Sequence, residues 1–413
     1  MDKQIENYVE LAIRKGINIQ KGQILIINSP VETYDFSRKL AEKAYELGAS
    51  EVVIHWSDEV CTKYRYLYGK EEIFDIFPDW QRESIEYYRK KGAAFISVYS
   101  SDPDILKDVD KERVARYQKV RSLALKEHYN EMMGNSNQWC VISVPTKAWA
   151  KKIFPELEEE AAILEMWKLI LKIVRADKEN PILEWEKHLN RLKRRIDYLN
   201  NKKFKKLIYK NSFGTNLEIG LPEGHRWISG GEKSKAGIDF VANIPTEEIF
   251  TMPHREKVNG TVVSSKPFIY AGNIIDDFSF IFKDGKIVEY SAKIGKEILG
   301  NLLDMDEGAR YLGEVALVEY DSPISKSEKI FYNTLFDENA SCHLALGSAY
   351  PICIENSNEQ SEQELKARGV NNSLIHEDFM IGTSDMEIIG VDVDGKEIIL
   401  MKNGNFLFDP TLS

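Results

Sequence analysis

The sequence predicts a two-part protein of α/β and α+β class. An N-terminal α/β domain with a mainly parallel sheet is expected over residues 1–205. A C-terminal α+β domain with antiparallel hairpins is expected over residues 206–413. Three observations carry this expectation. The chain has 413 residues, more than a single core ordinarily organises. Its first half alternates continuous apolar runs with helical segments, the rhythm of β-α-β units. Its second half places Asp-Gly and Asn-Gly pairs beside strand-like runs, as hairpins do.

The elements follow in order. Residues 1–16 read as a helix with Ile5, Val9, Ala12 and Ile13 on one stripe. After Gly22, QILIINSP is a continuous apolar run of the kind buried in a parallel sheet. TYDFSRKLAEKAYELG is a helix closed by Gly48, and ASEVVIHWSDE is the next strand. AAFISVYSS (93–101) and QWCVISVPT (138–146) add two more strands, and 157–176 and 182–199 read as helices. Neither GxGxxG nor a P-loop is present, so this sheet advertises no nucleotide site. In the second half, Asp284-Gly285 and Asp394-Gly395 separate strand-like runs, and Asn259-Gly260 and Asn403-Gly404 read as further turns. KEILGNLLDMDEGARYLGE reads as helical. No internal repeat or low-complexity segment appears.

Composition narrows the function. Hydrophobic residues make up 43% and charged residues 29%, the balance of a globular protein. No apolar run reaches the roughly 18 residues that a membrane helix needs. The opening MDKQIENYVELAIRKG is amphipathic with mixed charge rather than a leader, which predicts a cytoplasmic protein. Cys61, Cys140, Cys342 and Cys353 lie far apart and read as reduced structural thiols. The net charge of −11 disfavours nucleic acid as a partner. Residues 187–210 run the other way, with ten Lys or Arg and one Asp. Tyr198, Phe204 and Tyr209 within it could in principle stack on bases. Leu189, Leu192, Ile196 and Leu199 fall at helical spacing there, so a solvated amphipathic helix is the better reading.

The chemistry concentrates near the C-terminus. In HEDFMIG (376–382), an extended backbone would project His376 and Asp378 to one face and Phe379 and Ile381 to the other. That pair suits a metal ion or an ordinary surface ion pair. NIPTEEIFTMP (243–253) is an extended, Pro-bracketed segment with adjacent Glu247 and Glu248. One of the two must face inward in a strand, and alternation alone does not say which. GEVALVEYDSPI (313–324) sets Glu314 against the apolar run VALV. LFDENASCHLALGSAY (335–350) holds Asp337, Glu338, His343 and Tyr350, with small residues at 340, 341, 345 and 347–349 that permit close backbone approach. His55, His128, His188 and His225 read as structural or surface residues, and His254 is undecided. Carboxylates with imidazole suit Zn²⁺, Co²⁺, Mn²⁺ or Mg²⁺. More than four such ligands exceed one tetrahedral zinc and suit a pair of ions.

At these segments the chain resembles the aminopeptidase T / aminopeptidase S / PepS family of metallo-aminopeptidases. NIPTEEIFT, LGEVALVEYDSPI, LFDENASCHLALGSAY and HEDFMIG match its signatures in wording and spacing, and YVELAIRKGINIQKGQILIINSP resembles its opening. The resemblance covers nearly the whole chain. It implies that Glu248, Glu314, His343, His376 and Asp378 are metal ligands and that residues 206–413 form the metal-binding catalytic domain. It singles out Glu248 over Glu247. Glu338 is implied as a further ligand or as the group that handles the proton of the attacking water. Tyr350 is implied as an oxyanion stabiliser, and Glu314 as a bridge between ions.

The resemblance further implies two divalent ions as cofactors and peptides with a free N-terminus as substrates. It implies hydroxide attack on the scissile carbonyl and a homodimer with enclosed sites. Ligand chemistry alone leaves other metal-dependent amidohydrolases open, a dipeptidase or a carboxypeptidase among them. A non-catalytic binding protein on the same fold would show lost ligands, and none is lost here.

Overall fold

The computed structural model describes residues 1–270 and 273–408, with the Asn358 side chain left aside. Two compact units are present. The first comprises Met1–Leu189 and Gly230–Thr246, and the second comprises Asn190–Ser229 with the chain from Glu247 onward. The division falls inside the helix Pro181–Lys202.

In the first unit, four parallel strands are ordered Glu51–Ser57, Ile24–Pro30, Ala94–Val98 and Trp139–Ile142. Leu25, Ile26 and Ile27 are all buried, as expected of a central parallel strand packed on both faces. The helix Asp2–Leu11 continues into a single π turn, Ala12–Gly16. Its Tyr8 is fully buried, and the hydroxyl donates to the Ser143 carbonyl at 3.1 Å. Residues 230–246 belong to this unit because their end pairs beside the Trp139 strand. Val141 N–H donates to Ala242 O at 2.7 Å and Ile244 N–H to Val141 O at 3.0 Å.

The helix Pro181–Lys202 buries Trp185, His188, Leu192, Arg195 and Leu199, with Ile196 and Leu189 half-buried. Its basic run is partly neutralised along the helix. Lys187 pairs with Glu184 and Lys193 with Asp197. Arg195 reaches Glu319 at 2.9 Å and lies 4.4 Å over the Phe406 ring. Among the described residues, no helix is long and apolar enough to cross a membrane.

One feature of the first unit makes stability pH-dependent. His128, on the helix Lys126–Met133, packs against Phe95 and Tyr129, and burial drives its pKa down to about 4. Arg89 and Arg121 push the same way, while Glu86 opposes them. The imidazole is therefore neutral in the fold and takes up a proton on unfolding. This contribution to stability is fully present above pH 6.5 and is lost as pH falls toward 4. Between pH 7.5 and 5 the loss is about 2 kcal/mol. His128→Gln is expected to lose that much less than the parent over the same interval in urea unfolding. Equal losses in the two proteins would overturn the assignment.

Among the described residues, the second unit contains two antiparallel sheets. The larger has nine strands, among them Lys206–Lys210, Asn216–Gly220, Val258–Val263, Asn273–Lys283 and Lys286–Ile294. Asp284 and Gly285 turn the last two with φ of +49° and +84°, and Asn403-Gly404 turns another pair. Gly395 lies in the loop between Glu387–Val391 and Glu397–Lys402. Asn259-Gly260 is not a turn. It lies inside the strand Val258–Val263, where Asn259 Oδ1 accepts from Asp284 N–H, and a Cβ on Gly260 would sit 2.2 Å from Asn216 O.

The smaller sheet has five strands in the order His376–Met380, His343–Gly347, Leu312–Leu317, Ile249–Thr251 and Ile228–Ser229. Leu344, Leu346, Val315, Leu317 and Phe379 belong to the main core of this unit. The Phe379 ring lies 5.2 Å from Phe280 and 5.8 Å from Phe278. Each such side chain contributes roughly 1.5–3 kcal/mol by leaving water. That burial fixes the register, because a slip of one residue would turn the charged face into the core.

Candidate metal centre

Register brings the charged residues of the small sheet together. Glu314 lies opposite Ala345, and Ala345 lies opposite Asp378. Cross-strand partners share a face, so Glu314 and Asp378 project to the same side with only a methyl group between them. His343 and His376 lie two residues from Ala345 and Asp378 and therefore share that side. On the next strand, Phe250 pairs with Ala316 and so lies on that face, and Glu248, just ahead of this strand, reaches His343 by its side chain. Alternation in HEDFMIG thus turns His376 and Asp378 one way and Phe379 the other.

The distances are short. His343 Nε2 lies 3.1 Å from Glu248 Oε2 and 3.5 Å from Glu314 Oε1. His376 Nε2 lies 3.5 Å from the other oxygen of Glu314, Oε2. Asp378 Oδ1 is 3.9 Å from both imidazoles. Among the described residues two donor groups emerge, Glu248/Glu314/His343 and Glu314/His376/Asp378, each with its ligand atoms within 4.8 Å of one another. Glu314 belongs to both.

Electrostatics mark this as a site that wants a cation. Burial, with Asp378 and Glu248 adding to it, pushes the Glu314 carboxyl up to about 7, although His343 pulls it down. Burial and the charges of Asp378 and Glu248 also hold Glu338 well above the usual carboxylate range. Burial disfavours charge on His343, yet its hydrogen bonds to Glu248 and Glu314 outweigh that and raise its pKa well above the usual value. Asp378 Oδ1 is buried with no hydrogen-bond partner among the described residues. Divalent ions fit this donor set. They would replace the imidazole protons and relieve the crowding of carboxylates.

The surrounding loops orient the donors. Ser348 O accepts from His376 Nδ1 at 2.7 Å, and Ser341 O lies 3.2 Å from His343 Nδ1. Each contact leaves Nε2 directed at the carboxylates, the usual arrangement around a metal-binding histidine. Glu338 sits on the single turn Glu338–Ala340, and Asn339 Nδ2 donates to its Oε1 at 3.2 Å. Asp337, before it, accepts from the N–H groups of Phe331 and Asn333 and so ties down the preceding loop. The Tyr350 ring lies 4.8 Å from His376 and 5.6 Å from Phe250. An apolar cluster of Phe250, Met252, Ala316, Ala349 and Cys353 adjoins this face.

The fold thus gathers Glu248, Glu314, His343, His376 and Asp378, with Glu338 within electrostatic reach and Tyr350 against His376. Glu247 and Glu248 are both buried, since the strand begins only at Ile249 and alternation does not govern them. The Glu247 N–H is held by Asn339 Oδ1 at 2.7 Å. The supporting groups were not legible in the sequence: the Ser341 and Ser348 carbonyls and Asn339. The run of small residues at 340–349 was the available signal for the first two.

The family of the chain follows from comparison. The model of the thermophilic metalloprotease family (M29) matches residues 1–406. Aminopeptidase 2 of Geobacillus stearothermophilus is 48% identical over 408 residues, covering 99% of this chain and 98% of that protein. Aminopeptidase T of Thermus thermophilus is 40% identical, with 98% of each chain covered. The solved structure of wild-type AmpT from Thermus thermophilus superposes with a TM-score of 0.91 at 39% identity, covering 98% of this chain and all of that one. The chain belongs to the M29 metalloprotease family.

Proposed function

We propose that this chain is a metallo-aminopeptidase that releases the N-terminal residue of peptides by hydroxide attack at a two-ion site in its C-terminal half. The observation that carries two ions rather than one is the carboxylate of Glu314. Its two oxygens each lie 3.5 Å from a different histidine, so the one carboxylate could serve both donor groups. Glu248, Glu314 and His343 would hold one ion, and Glu314, His376 and Asp378 the other. Bound there, Zn²⁺, Co²⁺, Mn²⁺ or Mg²⁺ would polarise the scissile carbonyl and lower the pKa of water toward neutrality.

The chain's own residues supply the remainder. Glu338 takes the proton of the attacking water and delivers it to the leaving amine. Its buried setting, which favours the protonated form, suits the second half of that transfer. The Tyr350 hydroxyl donates to the oxyanion as charge develops. A carboxylate beside the ions would orient the substrate's free α-amine. The apolar cluster around Phe250 keeps water from the reacting groups. Four free cysteines support a reducing, cytoplasmic setting. The family resemblance supports a homodimer, which sedimentation would test.

Hydrolysis of amino-acid p-nitroanilides, unblocked and N-acetylated, tests the reading after chelation and after return of each ion. Activity is expected to require both a metal and a free amine. Cleavage of blocked substrates would move the assignment to another amidohydrolase.

A further inference from the structure

His376 is useful as a donor only while its Nδ1 carries the proton and its Nε2 keeps the lone pair. In this chain that state depends on one backbone oxygen, Ser348 O, 2.7 Å from Nδ1. What holds Ser348 O in place is therefore part of the site.

Asn371 holds it from both sides. Its side-chain Nδ2 donates to Gly347 O at 2.6 Å, one residue before Ser348. Its backbone carbonyl accepts from Ala349 N–H at 2.9 Å, one residue after. The second amide proton goes to Gly308 O at 2.8 Å, which ties the clamp to the turn ahead of the Leu312 strand. Ser348 N–H itself donates to Ile375 O at 2.7 Å, next to His376.

Two glycines make the approach possible. Gly347 has φ of +98°, and a Cβ there would lie 2.2 Å from Ile375 O. Gly313 lies at the irregularity in pairing between Leu312 and Glu314. A Cβ on Gly313 would lie 2.3 Å from Ser348 O, the oxygen that His376 uses.

Asn371 Oδ1 is buried and has no hydrogen-bond partner among the described residues. An unpaired buried acceptor costs stability. Packing alone is thus a poor reason for an asparagine here, whereas a donor aimed at Gly347 O and Gly308 O requires one.

We infer that Asn371 is a positioning residue for the metal centre: through the Gly347–Ala349 turn it fixes the Ser348 carbonyl, and through that the tautomer and aim of His376. The inference rests on the two-ion reading of the site. It assigns Asn371 to the position formed by Glu314, His376 and Asp378, and not to the one that uses His343.

The test is calorimetric titration of metal-free protein with Zn²⁺, which reads affinity and stoichiometry without activity. Asp378→Ala identifies which binding step belongs to the His376 position. In Asn371→Ala that step is expected to weaken about tenfold or more, as loss of an outer partner of a histidine ligand does. The other step is expected to stay within about twofold of the parent. Equal weakening of both steps, or of neither, overturns the inference. Should Asn371→Ala not fold, Asn371→Ser also removes the amide that donates to Gly347 O and Gly308 O and is expected to give the same selective loss. Parental binding at both steps in Asn371→Ser would likewise overturn it. A single step in the parent would sink the two-ion reading instead. The role of Asn371 then stands if that step weakens in Asn371→Ala and falls if it does not.

Discussion

Glu314→Ala is expected to lose metal and activity together. The carboxylate offers Oε1 toward His343 and Oε2 toward His376, each at 3.5 Å. Removing it takes a donor from both groups at once and leaves two-ligand remnants, Glu248/His343 and His376/Asp378, neither of which closes around an ion. Hydrolysis should fall at least about a thousandfold, roughly 4 kcal/mol of barrier. Metal analysis after dialysis should find both ions depleted. Substitution of Glu248 or of Asp378, by contrast, should deplete one. If Glu314→Ala kept one full equivalent of tightly bound metal, Glu314 would not be the shared ligand.

Glu338→Gln is expected to separate metal binding from turnover. Glutamine keeps the shape and an oxygen that can accept from Asn339 Nδ2, now 3.2 Å from Glu338 Oε1. It cannot exchange a proton. Turnover should drop by about 10²–10⁴, the usual worth of a general acid–base, while metal content stays near that of the parent. Near-normal turnover would remove Glu338 from proton transfer. Loss of an ion would make it a ligand, the other role that the family resemblance implies. Turnover and metal content measured on the same preparation therefore decide between the two.

Much of the fold was legible because local patterns carry their own physics. The apolar run QILIINSP is a buried parallel strand because both of its faces are covered. The Asp284-Gly285 and Asn403-Gly404 pairs are turns because their residues take positive φ. Asn259-Gly260 carries the same signal and is not a turn. There the glycine answers to the close approach of the Asn216 carbonyl from a neighbouring strand, a demand that no local reading contains. Residues 230–246 likewise join the first unit through hydrogen bonds at Val141, on a strand distant along the chain.

The candidate site divides in the same way. The sequence by itself determined that His376 and Asp378 face one side while Phe379 faces the other, since a strand alternates whatever it packs against. It also determined that imidazoles and carboxylates are concentrated in the C-terminal half, and that small residues at 340–349 leave room for close backbone approach. Only the tertiary structure decided that Ala345 lies between Glu314 and Asp378, that both Glu247 and Glu248 are buried, and that the two oxygens of Glu314 face different histidines. Only it decided that Ser348 O, bracketed by Asn371, meets Nδ1 of His376. Those facts depend on register between strands distant in sequence. Register is set by the burial of Phe379, Leu344 and Val315 on the opposite face, an energy that appears only when the strands have met.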